Sequence, residues 1–259
     1  MKTDRNIRDL IEEEIIKDSR VFAICGSGGK TSLLRLCCRS FSGSYQTAAA
    51  ASTAIGFPDG SFSPSGRSPL VITPEGAFKL EEGTVRSLPE VSLEDRRGEP
   101  CFYGDMITEV PKLHGLDQEM FAMALSQNQL LFIEADGSAR RPLKGWRDNE
   151  PVVPEGTDVT IGILPVHLLG KVLKAEDIHR PEFFRRLTGK GAGDLLTLED
   201  LRKLAGEPQG LFKCARGRRL LLLNRISELP EGVSRECLTD ALKETADLIV
   251  TADLAHEIC

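Results

Sequence analysis

Three groups of residues have types and spacings that could do chemistry. The first is Gly26-Ser27-Gly28-Gly29-Lys30-Thr31-Ser32. Closely spaced glycines let backbone N–H groups approach an anion, Lys30 offers a flexible point charge for the outer phosphates of a nucleotide, and the Thr31 hydroxyl can join the shell of a magnesium ion. The second is Glu134 and Asp136, two carboxylates one residue apart that could hold magnesium through water or orient an attacking water. The third is basic: Arg141 and Lys144 closely follow those carboxylates, and the pair His179-Arg180 comes later in the chain. Read together, Lys30, Glu134 and Asp136 would be catalytic. Gly26 to Ser32, with Asn224, would hold ATP or GTP. Thr31, Glu134 and Asp136 would hold Mg2+, and the basic residues would meet a substrate.

Elements of regular structure must position these residues. Val21 to Cys25 is a short apolar run before the glycines, and Leu33, Leu34, Cys37, Cys38 and Phe41 recur behind them at helical spacing, so the loop joins a strand to a helix. Gln129 to Ser138 starts with apolar residues and predicts a strand buried on both faces, with the two carboxylates at its carboxyl end, where open parallel sheets bind ligands. Arg218 to Ser227 predicts another such strand, carrying Asn224 near its end. Further strands are predicted over Tyr45–Thr53, Asp158–Val166 and Asp247–Asp253. Helices are predicted over residues 5–17, Leu116–Gln127, Ile178–Gly189, a stretch capped by Thr197 with Asp200, and Val233–Thr245. Alternating strand and helix, with each main strand apolar throughout, predicts a three-layer α/β fold: a parallel sheet with helices on both faces, of the P-loop NTPase kind. Residues 1–259 read as one nucleotide-binding domain, with an insertion of short strands around 56–105.

Plainer readings stand beside these. The glycines could form only a turn with an exposed lysine, Asp136-Gly137 could only reverse the chain, Arg141 and Lys144 could be solvated loop charge, and His179 could merely precede a helix.

A chain of 259 residues can bury roughly three quarters of its unfolded surface, enough for a full core. Its net charge of -6 and pI near 5.4 exclude a general nucleic-acid binder, which needs a basic face to release counterions. Seven cysteines without a C-x-x-C pair give neither a disulfide framework nor zinc-finger spacing, which suits a reducing compartment. No stretch approaches the roughly 20 apolar residues of a membrane span. The expectation is a cytoplasmic protein with no membrane or nucleic-acid partner.

The loop is shorter than G-x-x-x-x-G-K-[ST], which would put its first glycine at Ile24. Its G-x-G-G-K-T form resembles the loops of nucleotide-dependent metal and cofactor insertion proteins related to the deviant-loop ATPases, with Cys25 where those ATPases carry an extra lysine. It also resembles the G-T-N-G-K-T of Mur-type ligases. In combination, ICGSGGKTS, IEADGSARRPLK, EPVVP, LLGK, IHRPEFFRRLTG and LLLLNRIS resemble, in the same order, the YqeC-like proteins, accessory to selenium-dependent molybdenum hydroxylases. The resemblance covers Val21 to about Ser227. It implies a nucleotide-binding protein acting in maturation or insertion of a selenium-containing molybdenum cofactor, with a hydroxylase or its maturation proteins as partners. It assigns the phosphate loop to Gly26–Thr31, the acidic strand end to Glu134 and Asp136, the basic follow-on to Arg141 and Lys144, and the His-Arg pair to His179-Arg180.

Two positions depart from that pattern. Ala54 stands where relatives tend to carry lysine, and Asn224-Arg225-Ile226-Ser227 replaces N-K-x-D, so the aspartate that would accept hydrogen bonds from a guanine edge is Ser227. The I-E-A-D-G strand end resembles the I-E-x-x-G of urease and hydrogenase maturation GTPases, which favours an NTP-dependent accessory protein with slow hydrolysis. A ligase or kinase acting on a small substrate through a Mur-like loop is the alternative, as is a nucleotide-binding module without hydrolysis.

Overall fold

The computed structural model describes residues 7–14, 16–89, 98–107 and 112–257. In chain order the elements are α1 (Ile7–Glu14), β1 (Val21–Gly26), α2 (Lys30–Phe41), β2 (Thr47–Ala51), β3 (Ala54–Gly56), β4 (Leu70–Thr73), β5 (Gly76–Glu81), β6 (Thr84–Leu88), β7 (Cys101–Tyr103), β8 (Asp105–Ile107) and β9 (Lys112–His114). There follow α3 (Gln118–Gln127), β10 (Leu130–Glu134), β11 (Leu143–Lys144), β12 (Val159–Pro165), β13 (Ile178–His179), α4 (Pro181–Thr188), α5 (Leu198–Gly206), β14 (Arg218–Asn224), α6 (Arg235–Leu242), β15 (Leu248–Ala252) and α7 (Leu254–Glu257). The strands pair mostly in parallel and are accompanied by helices, an α/β fold. The chain forms two compact units.

One unit contains Ala23–Lys30, the residues up to Ser19 and those from Ala135 on. Its strand order is β15-β14-β12-β1. β12 runs parallel to β14, with Pro165 opposite Asn224, and β14 runs parallel to β15, with Asn224 opposite Ala252. Strand ends of like polarity therefore stand in a row. β12 is buried along its whole length and β14 from Leu220 on, as runs of Leu, Ile and Val require when both faces are covered. Leu143, Trp146, Phe184, Leu201, Leu221 and Leu238 belong to the core packed against them. Helix α5 starts on a capping box: Thr197 Oγ1 accepts from the Asp200 N–H and the Asp200 carboxylate accepts from the Thr197 N–H.

The other unit contains Arg20–Phe22 and Thr31–Glu134. Its strands β10, β2, β7 and β4 pair parallel in that order, and β5 and β6 extend β4 as antiparallel hairpins. Small residues in β2 are buried along the whole strand. Phe22 and Phe41 stack on Phe132 with centroids 4.8 and 6.1 Å apart. Strands β3, β9 and β8 form a separate antiparallel sheet. The span predicted as a short-strand insertion holds β4 to β7, and most of its charged segment Glu94–Glu99 lies outside the described residues.

Several boundaries differ from the predicted ones for local reasons. β10 stops at Glu134, and two residues on the Asp136 carboxylate accepts from the Gly26 N–H. β14 stops at Asn224, since Arg225 adopts φ +62° and leaves the extended region. α4 begins at Pro181 rather than Ile178: Arg180 is left-handed, Pro181 takes the first helical position, and Ile178-His179 pair instead with Leu143-Lys144. The predicted helix over 5–17 is α1 followed by a short turn, with residues 5, 6 and 15 outside the described set. Among the described residues no helix is long and apolar enough to cross a membrane.

Candidate functional site

The glycine loop turns between the end of β1 and the start of α2. Gly26 has φ +100°, and a Cβ there would lie 2.3 Å from Ile163 O, so this position admits only glycine. Gly28 has φ +71° and sits on the Pro165 ring, which an added Cβ would meet at 2.6 Å. Ser27 is fully buried, donating its N–H to Ile163 O at 3.1 Å and its hydroxyl to Pro142 O at 2.8 Å. Asn224 Nδ2 donates to Gly28 O at 2.7 Å, while Asn224 Oδ1 accepts from the N–H groups of Arg225 and Leu254 at 2.9 and 3.0 Å. The loop is thus fixed from three sides. The first N–H groups of α2, which have no acceptor within their own helix, follow directly.

Asp136 is the centre of a buried ion network. Fully enclosed, it accepts from the Gly26 N–H at 3.1 Å, Lys144 Nζ at 2.9 Å and Trp146 Nε1 at 2.8 Å, with Lys30 Nζ 3.3 Å away. Burial pushes its pKa upward, but the Lys30 and Lys144 charges and the donated hydrogen bonds outweigh burial and hold the carboxyl below the usual carboxylate range. Lys30 Nζ also donates to Gly26 O at 2.7 Å. Lys144 Nζ reaches Gly137 O at 2.7 Å and Glu150 Oε2 at 3.4 Å, and Glu150 is paired in turn with the Arg180 guanidinium. Lys30, Lys144 and Arg180 thus share this network with the Asp136 and Glu150 carboxylates.

His179 pairs in register with Lys144. Burial, then the charges of Arg180 and Lys144, push its pKa down, so the imidazole is neutral at pH 7. Arg141 donates to Ala175 O and Ile178 O at 2.9 and 2.6 Å, which ties the segment before β11 to the one before α4. Burial first, then the Asp136 charge, pushes the Cys25 thiol up, so it stays protonated.

In the other unit the Thr31 hydroxyl donates to Glu134 Oε2 at 3.0 Å, and Glu134 O accepts from the Ser52 N–H at 3.0 Å. Ser32 is half-buried in the first turn of α2. A hydroxyl and a carboxylate are hard oxygen donors of the kind magnesium takes. Among the described residues no group of three or more His, Cys, Asp or Glu is arranged to hold a metal ion.

The structure brings Gly26 to Lys30, Asp136, Lys144, Arg180 and Asn224 into one connected set. Arg141 is committed to backbone carbonyls and His179 is a neutral neighbour. Sequence reasoning missed Trp146 and Glu150. Glu150 opens the motif EPVVP, but nothing in its spacing says that it reaches back to Lys144, and nothing local to Trp146 points to Asp136.

A family model described as YqeC protein matches residues 22–182. The uncharacterized protein YqeC of Escherichia coli (strain K12) is 28% identical over 232 residues, spanning 88% of this chain and 84% of that protein. No solved structure matches the chain.

Proposed function

Because the chain belongs to the YqeC family, we propose that it is a nucleotide-binding protein, taking ATP or GTP with magnesium, whose nucleotide state serves maturation or insertion of the selenium-containing molybdenum cofactor of hydroxylases. The observation that carries the nucleotide half is the pairing of the loop with its buried counter-ion: Gly26 and Lys30 are both held on Asp136, with Lys144 on the same carboxylate. In this reading an incoming phosphate draws Lys30 away from Asp136, and Lys144 goes on neutralising the carboxylate. Lys30 then follows the outer phosphates, while the helix N-terminus and the N–H groups of Gly28 and Gly29 take the inner ones. The Thr31 hydroxyl and the Glu134 carboxylate, bonded to each other, are oxygen donors of the kind magnesium takes. The cofactor half rests on family membership and the ordered motifs.

The test is thermal unfolding with magnesium and either nucleotide. A ligand at a hundredfold excess over its dissociation constant stabilises by about 2.7 kcal/mol. The unmutated chain should show such a shift, and Lys30→Ala, measured against its own nucleotide-free form, should show none. Absence of a shift with both nucleotides refutes the loop assignment. For the biological half, deleting the gene should leave a molybdenum hydroxylase at normal level but inactive, with activity restored by the unmutated protein and not by Lys30→Ala. Full hydroxylase activity in the deletion strain refutes that half alone.

A further inference from the structure

Resting on the nucleotide reading above, we infer that Asp253 supplies the base-reading carboxylate that Ser227 leaves out of N-K-x-D, and that the site selects guanine over adenine. The strand order β1-β12-β14-β15 places in one row the loop after β1, Asn224 at the end of β14 and Asp253 just past β15. Nucleotide phosphates on the loop leave the base to lie toward the β14 and β15 ends, since ligands of parallel sheets sit outside the carboxyl ends of the strands. Asn224 ties this end to the loop, bonding Gly28 O on one side and the Leu254 N–H, next to Asp253, on the other.

Ser227 stands where the motif has its aspartate, and it grips the Asp253 carboxylate. Its N–H lies 3.1 and 3.2 Å from the two carboxylate oxygens, and its hydroxyl donates at 2.9 Å. The acid has changed strands and the serine now holds it. Asp253 is half-buried, and among the described residues no cation is paired with it. A carboxylate offers about four lone-pair sites, so acceptor capacity remains beyond what Ser227 uses. The N1–H and 2-amino group of guanine are two parallel donors that fit such a carboxylate. Adenine presents a ring-nitrogen acceptor at N1, which a carboxylate repels.

Calorimetric titration of the full chain with GTP, ATP, ITP and XTP in magnesium tests this. GTP should bind at least about tenfold tighter than ATP, and ITP, which lacks the 2-amino donor, should be weaker than GTP. Asp253→Asn should weaken GTP by about tenfold or more and strengthen XTP, whose 2-carbonyl then meets the amide N–H. Equal affinity for GTP and ATP overturns the inference and leaves the phosphate loop standing, whereas binding of neither removes both. If Asp253→Asn does not fold, the GTP to ATP and GTP to ITP ratios of the unmutated chain decide, and ratios near one overturn the inference.

Discussion

Replacing Asp136 by asparagine tests the buried network most directly. The exchange keeps the side chain's shape but removes its charge and turns one acceptor oxygen into a donor. Four donors now converge on that carboxylate, from Gly26, Lys30, Lys144 and Trp146, so an amide must leave at least one of them facing another donor. At an effective dielectric near 20, the lysine contacts at 3.3 and 2.9 Å correspond to gross attractions of about 5 and 6 kcal/mol. Desolvation offsets most of that, and removing one partner of a buried pair costs about 3–5 kcal/mol net. Against a total stability of about 5–15 kcal/mol this is a large fraction. Urea unfolding at pH 7 should show the loss as a lower midpoint at unchanged slope. The pH dependence gives a second readout. The folded pKa lies below the unfolded value near 3.9, so the ionised carboxylate stabilises the fold above that value, and the contribution is lost as pH falls toward the folded pKa. The parent should lose stability below about pH 4, and Asp136→Asn should lack that part of the acid limb. A variant within about 1 kcal/mol of the parent at pH 7, or one that keeps the whole acid limb, would refute the network's role.

Two further substitutions probe the same unit. Gly26→Ala, at φ +100° with its Cβ aimed at Ile163 O, should cost roughly 3 kcal/mol or more by denaturant midpoint, and a neutral result would mean that the loop can relax away from β12. His167 is buried and, among the described residues, its Nδ1 has no partner; burial, then Arg225, pushes its pKa below 6.5. The unfolded chain therefore takes up the proton first as pH falls, and the fold loses stability from about 6.5 downward until the folded imidazole titrates too. His167→Gln should flatten the fall in unfolding free energy between about pH 7.5 and 5.5, and an unchanged slope would place that pH dependence elsewhere.

The parts of this molecule legible in sequence are those written in local patterns. Val21–Cys25, Leu220–Leu223 and the Leu130–Ile133 run are apolar without alternation, and they are buried strands. Thr197 and Asp200 announced the start of α5, and the loop glycines announced a strand-to-helix turn. What was not legible depends on residues distant in sequence or on very short elements. Strand β13 has two residues, too few for a period, and is defined only by its pairing with β11. The inward turn of Asp136 follows from where Lys144 and Trp146 come to rest, eight and ten residues on, and no local spacing encodes that. The hydrogen bonds from Ser227 to the Asp253 carboxylate likewise join residues far apart in sequence, and only the fold brings them together.

Asn224 also limits which residue this position can tolerate. Its amide must donate to a carbonyl on one side and accept two backbone N–H groups on the other, all from a side chain with a single methylene. Aspartate would satisfy both N–H groups but set a carboxylate oxygen against the Gly28 carbonyl, serine has no second polar atom, and glutamine carries its amide one carbon too far. Substitutions can therefore change the residues around it, while this one amide, which donates once and accepts twice, is hard to replace.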